Sequence, residues 1–170
     1  MTEALPERFA PSAPRWQRIG VPIASVLLGS LVTIVPMIAP GPVLPPFGLL
    51  VLLAWRLLRP ELFPVWAAAP FGLFDDCLSG QPMGSAVLLW TVTFFAIELF
   101  DTRLVWRDFW QDWLIAALAT AFCLIAGRLI ASPIAAHVDT LLIVQMLVSV
   151  SLFPLVARLV AWLDRKRGRA

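Results

Sequence analysis

The sequence predicts an all-α integral membrane protein of six transmembrane helices, with both termini on the cytoplasmic side. Three observations lead there. Of the 170 residues, 60% are apolar and only 14% charged, against about 25% charged in ordinary soluble domains. Six apolar segments are separated by short breaks rich in proline and glycine. Threading six spans puts twelve of the thirteen basic residues on one side, which is how cytoplasmic segments are marked.

The amino-terminal stretch "MTEALPERFAPSAPRWQR" is rich in proline and alanine and shows no sustained period. Residues 1–19 therefore read as a disordered cytoplasmic tail that ends in an interfacial anchor, Trp16 within an Arg-Trp-x-Arg cluster. The first helix covers Gly20 to Ala39. It is longer than the apolar core of a secretion signal and has no convincing small-x-small cleavage site, so it reads as a retained span. After "APGPVLPP" comes a short second helix, Pro46 to Leu58, closed by "RPELFP". The third covers Leu62 to Leu78 and gives way at "SGQPMG" to a fourth, Met83 to Phe100. The fifth is Trp110 to Ile130 and ends at "ASP"; the sixth is Val138 to Leu163. Pro36, Pro70 and Pro154 fall inside these spans and are expected to kink them. Residues 20–163 thus form one membrane domain, and residues 164–170 a basic cytoplasmic tail. Its "RKRGR" segment suits anionic lipid, at about 1 kcal/mol per charge, and not nucleic acid.

With the amino terminus inside, Arg128 alone among the basic residues lies near the outer face. Most tryptophans also gather at the cytoplasmic ends, with Trp90 deeper. The short second and third segments would also suit a re-entrant hairpin. That arrangement would bring Arg56 and Arg59 near the bilayer centre, at about 2.5 to 3.5 kcal/mol each. Two short spans are preferred, with Arg56 and Arg59 snorkelling as interface anchors, as Trp162 does in the last helix. Cys77 and Cys123 fall at different depths, so no disulfide is expected between them.

Ionisable residues in apolar surroundings are the candidates for function. Glu98, beside Asp101 and Arg103, reads as interfacial. Asp139 opens the last helix, where the helix dipole favours a carboxylate. Asp75 and Asp76 lie in the last turns of the third helix and need partners. Adjacent helical residues point about 100° apart, so at most one of the two faces the bundle. Gly80 suits a left-handed helix stop, Pro82 a helix start, and Gly84 close packing. One aspartate is then placed to accept from the amides of that turn. Arg128 is the other available partner, through an ion pair between the third and fifth helices. A structural role for Asp76 and direct contact with a partner or ligand both stay open.

Catalysis finds little support. His137 is the only histidine and lies in an outer loop, so neither a metal cluster nor a Ser-His arrangement is recognisable. Asp76 and Asp139 would converge on one water only by tertiary accident. No glycine-rich phosphate loop is present. The chain reads as non-enzymatic, with no cofactor.

The spacing Gly72-x3-Asp76-x3-Gly80-x-Pro82-x-Gly84, preceded by "LPPFGLLVLLAWRLLRPELFP" with its Arg59-Pro60, resembles the signature of the rod shape-determining protein MreD family. Asp75 departs from that pattern, which more often has an apolar residue there; the four-residue spacing selects Asp76. The resemblance implies a non-enzymatic subunit of the bacterial inner membrane, multi-pass, within the cell-elongation machinery. It implies that the chain scaffolds MreC and so helps control cell shape and lateral peptidoglycan synthesis. Through MreC it would connect MreB filaments to RodA and the elongation penicillin-binding transpeptidase. It also implies a fold resembling the substrate-binding subunits of energy-coupling-factor transporters. The competing reading is a small-molecule-binding transporter subunit, with a pocket lined by Asp76, Arg128, His137 and Trp90.

Overall fold

The computed structural model describes residues 15–32, 44–80, 82–101, 108–131 and 140–169. Most of these are helical, and they form six α-helices: α1 (Arg15–Leu31), α2 (Phe47–Leu58), α3 (Ala68–Ser79), α4 (Ser85–Asp101), α5 (Phe109–Ala131) and α6 (Thr140–Arg169). A 3-10 turn, Val65–Ala67, leads into α3. The six apolar segments of the sequence therefore correspond to six helices. Pro36, His137 and Asp139 lie outside the described residues, as do residues 1–14; Trp16 falls in the first turn of α1, but its side chain lies outside the description.

Two helices, α5 and α6, are long and apolar enough to cross a membrane. By contrast α2 has 12 residues, about 18 Å at roughly 1.5 Å per residue. Its environment explains how so short a helix is stable. Leu49, Leu50, Leu52, Leu53 and Trp55 are almost wholly enclosed, and α2 packs against α1, α5 and α6. It is the central strut of the molecule, apolar on every side because every side is covered. The outer helices instead display large apolar side chains, such as Phe95, Leu118, Leu147 and Leu155.

The third helix starts later than its hydropathy suggests. Pro64 is extended and followed by the 3-10 turn, which places Pro70 in the first turn of α3. A proline there lacks an amide that would have no helical acceptor in any case, so no kink is required. Pro22, inside α1, and Pro154, inside α6, are the internal prolines. The basic segment after Leu163 continues α6 as helix to Arg169. Both cysteines are free.

Specific contacts fix the helices against one another. The Trp55 indole donates to the Ser25 hydroxyl at 2.8 Å, joining α2 to α1. Trp113 donates to the Val150 carbonyl at 3.2 Å, joining α5 to α6. The Gln145 amide of α6 donates to the Leu44 carbonyl, just before α2, at 2.6 Å.

Candidate functional site

The turn between α3 and α4 is built by the residues of the glycine and aspartate motif. Gly80 ends α3 in the left-handed conformation, with φ 66°, where a Cβ would cost roughly 1 to 2 kcal/mol. Gly84 precedes α4 and also has positive φ, 97°. Pro82 supplies a carbonyl that accepts from the Ser85 amide at 3.1 Å.

Asp76 reaches across this turn to complete the start of α4. One carboxylate oxygen accepts from the Gly84 amide at 2.9 Å and the Val87 amide at 3.3 Å. The other accepts from the Ala86 amide at 2.9 Å and the Ser85 hydroxyl at 3.0 Å. The first amides of a helix have no acceptor within it; in α4 those of Ala86 and Val87 go to Asp76, that of Ser85 to Pro82, and the Leu88 amide makes the first helical bond, to the Gly84 carbonyl. The positive end of the α4 dipole adds to the attraction. Asp76 belongs to α3 by sequence and to α4 by bonding.

Gly72 makes this geometry possible. A Cβ there would lie 2.8 Å from the backbone carbon and oxygen of Ala86 and the amide of Val87. Only glycine lets α4 approach α3 so closely. The four-residue step from Gly72 to Asp76 places both on one face of α3: the first admits the α4 backbone and the second binds it.

Asp75 faces elsewhere, as the angle between neighbours requires. It approaches Ser30 of α1 across Gly48 of α2; a Cβ on Gly48 would collide with the Ser30 hydroxyl and lie 3.3 Å from the Asp75 carboxylate. Asp75 also lines a cavity of about 210 Å³ at the end of the bundle where α2, α4 and α6 begin. Trp90, Cys123, Arg128 and Gln145 line the same cavity. Arg128 therefore shares a cavity with Asp75, while the hydrogen bonds of Asp76 come from the first turn of α4.

At the opposite end, Arg56 is buried within the protein, where it forms ion pairs with Glu98 and, at 3.5 Å, with Asp101. It also donates to the Pro60 carbonyl at 3.3 Å. Arg59 is half exposed and pairs with Asp164 of α6 at 3.1 Å. Trp162 is half exposed beneath the Lys166 ammonium, 5.0 Å from its ring centre.

A family model described as rod shape-determining protein MreD matches residues 17–163. The chain belongs to the MreD family. Membership gives it a part in the determination of rod shape. No curated protein and no solved structure matched the chain. In this MreD chain the motif residues Gly72, Asp76, Gly80, Pro82 and Gly84 meet in one turn. Sequence reasoning missed Ser85, whose hydroxyl completes the cap, and Gly48, which separates Ser30 from Asp75. A serine directly after Gly84 at a helix start was the available signal for the first; nothing local marks the second. The pairing of Arg56 with Glu98 was also missed, although opposite charges at the ends of two apolar helices hinted at it.

A carboxylate that accepts four hydrogen bonds is poorly placed to act as a base or metal ligand. Among the described residues, no group of three or more histidine, cysteine or acidic side chains is placed to hold a metal. The turn is built to join two helices.

Proposed function

We propose that the chain is a non-enzymatic, multi-pass scaffold of the bacterial inner membrane that holds the membrane helix of MreC. Through it, MreB filaments, RodA and the elongation penicillin-binding transpeptidase are coupled, and lateral peptidoglycan synthesis is kept in register with cell shape. The observation that carries this reading is the engagement of Asp76. The motif residue most suggestive of chemistry is committed to fastening α3 to α4.

Six spans with both termini cytoplasmic, in a body like the energy-coupling-factor substrate-binding subunits, belong to the same reading. Supporting the topology, Arg56, Arg59, Arg165, Lys166 and Arg167 lie at the end of the bundle where α2, α4 and α6 finish, and Arg128 lies at the other. Arg56 shares that end with Glu98 and Asp101, the last turn of α4, which favours two short spans over a hairpin. Arg59, Trp162, Arg165 and Lys166 are exposed there, which suits interface anchors and contact with anionic lipid. For the MreC helix, a shallow apolar cavity of about 330 Å³ between α4 and α5 is lined by large side chains such as Phe100, Leu118 and Phe122 around Thr93, Ala96 and Ala119; the small side chains at its floor let a membrane helix approach closely.

The test is depletion in the native host with rescue from a plasmid, read as cell width and as capture of MreC. Rescue by the wild type and loss of capture with Ala96→Trp support the scaffold; unchanged cell width on depletion overturns it.

A further inference from the structure

The cavity at the Asp75 end is not used by the scaffold, and its chemistry points to an occupant. Its walls are mostly apolar, formed by Leu49, Leu89, Leu124 and Leu142. Among the described residues, one carboxylate, Asp75, and one guanidinium, Arg128, line it with them, with the buried indole of Trp90 alongside. Opposite charges lining one small apolar cavity suit a ligand that itself carries both signs.

Size narrows the class. Pockets for drug-sized ligands span roughly 300 to 1,000 Å³, and about 210 Å³ admits only a small polar group. Shape narrows it further. Leu141 lines the cavity and is 46% exposed on the outside of α6, so the cavity wall runs onto the apolar exterior. A ligand can place its charged part within and trail an apolar part along α6.

We infer that this cavity binds a zwitterion of the phosphoethanolamine class, its ammonium on Asp75 and its phosphate on Arg128, supplied by a lipid headgroup or by the free molecule. A guanidinium matches phosphate through paired N–H donors, and with five such donors it retains capacity when it has another partner. An ammonium is drawn both to a carboxylate and to an indole face. The inference is independent of the scaffold reading.

Purified full-length protein in detergent is offered equal amounts of phosphatidylethanolamine and phosphatidylglycerol, and retained lipid is counted by native mass spectrometry. Free phosphoethanolamine is titrated in a second arm by calorimetry. Retention of phosphatidylethanolamine over phosphatidylglycerol, cut about tenfold by Asp75→Asn and by Arg128→Gln, supports the site as one for a headgroup. Binding of free phosphoethanolamine with the same losses, and no lipid preference, supports it as one for a soluble zwitterion. Leu124→Trp fills the cavity while keeping both charges, and is expected to abolish binding; it decides the matter if either charge variant fails to fold. Equal retention of the two lipids with no binding of free phosphoethanolamine, or binding that Leu124→Trp leaves unchanged, overturns the proposal.

Discussion

Arg56 holds Glu98 from inside the protein: 2% of the arginine side chain is exposed, against 54% for the glutamate. Neutralising the exposed partner therefore does most harm to the buried one. Glu98→Gln alone leaves Arg56 with Asp101 and the Pro60 carbonyl. Removing Asp101 as well leaves a buried guanidinium with no carboxylate and only the Pro60 carbonyl, and its Nε already finds no acceptor among the described residues. The pair Glu98→Gln and Asp101→Asn is expected to cost more than the two single changes summed, with a coupling of about 1 to 3 kcal/mol. Thermal unfolding in micelles measures it, and simple additivity would refute the shared ion pair.

Gly72→Ala is expected to destabilise the protein by roughly 1 to 3 kcal/mol. The added methyl meets the Ala86 and Val87 backbone, which cannot rotate away as a side chain can. Gly20→Ala is the control, because nothing lies within 4 Å of its Cβ. A lower melting temperature for the first and none for the second is the expected pair of results.

Asp76→Ala leaves two buried-end amides, the Gly84 amide and the Ser85 hydroxyl without their acceptor. At about 1 to 3 kcal/mol for each buried group left unsatisfied, a loss of about 3 kcal/mol or more is expected, with MreC capture failing alongside. Asp76→Asn keeps one oxygen and turns an amide toward donors, so it should sit nearer to Ala than to wild type. Asp75→Ala should unfold within about 1 kcal/mol of wild type, since it caps nothing. Equal full complementation by the Asp75 and Asp76 variants would refute this division of roles.

At Gly80 space is free, with nothing within 4 Å of a Cβ, and only the positive φ resists substitution. Gly80→Asn should therefore cost less than Gly80→Ala, because asparagine tolerates the left-handed conformation. Melting temperatures that rank the two the other way would show that the turn rearranges.

Much of this was legible in the sequence because it was local. The fifth helix, read as Trp110 to Ile130, is Phe109–Ala131, since a long apolar run in lipid has no alternative to helix. Gly80, Pro82 and Gly84 announced the turn for the same reason: a conformation selects its residue. What was hidden depended on pairs distant in sequence. That Arg56 is buried and paired with α4 depends on Glu98, 42 residues away. Arg128 was offered to the aspartate pair on charge alone, whereas the nearby amides of α4 already supply the Asp76 carboxylate and Arg128 lines the same cavity as Asp75.

The capping of one helix by the side chain of the preceding one bears on biogenesis. Were α3 and α4 to enter lipid separately, Asp76 would arrive as a bare anion and the first amides of α4 as bare donors. Side by side, each removes the other's cost. Under the proposed topology the two helices would enter as a single unit, a closed hairpin in which the glycine at position 72 admits the α4 backbone.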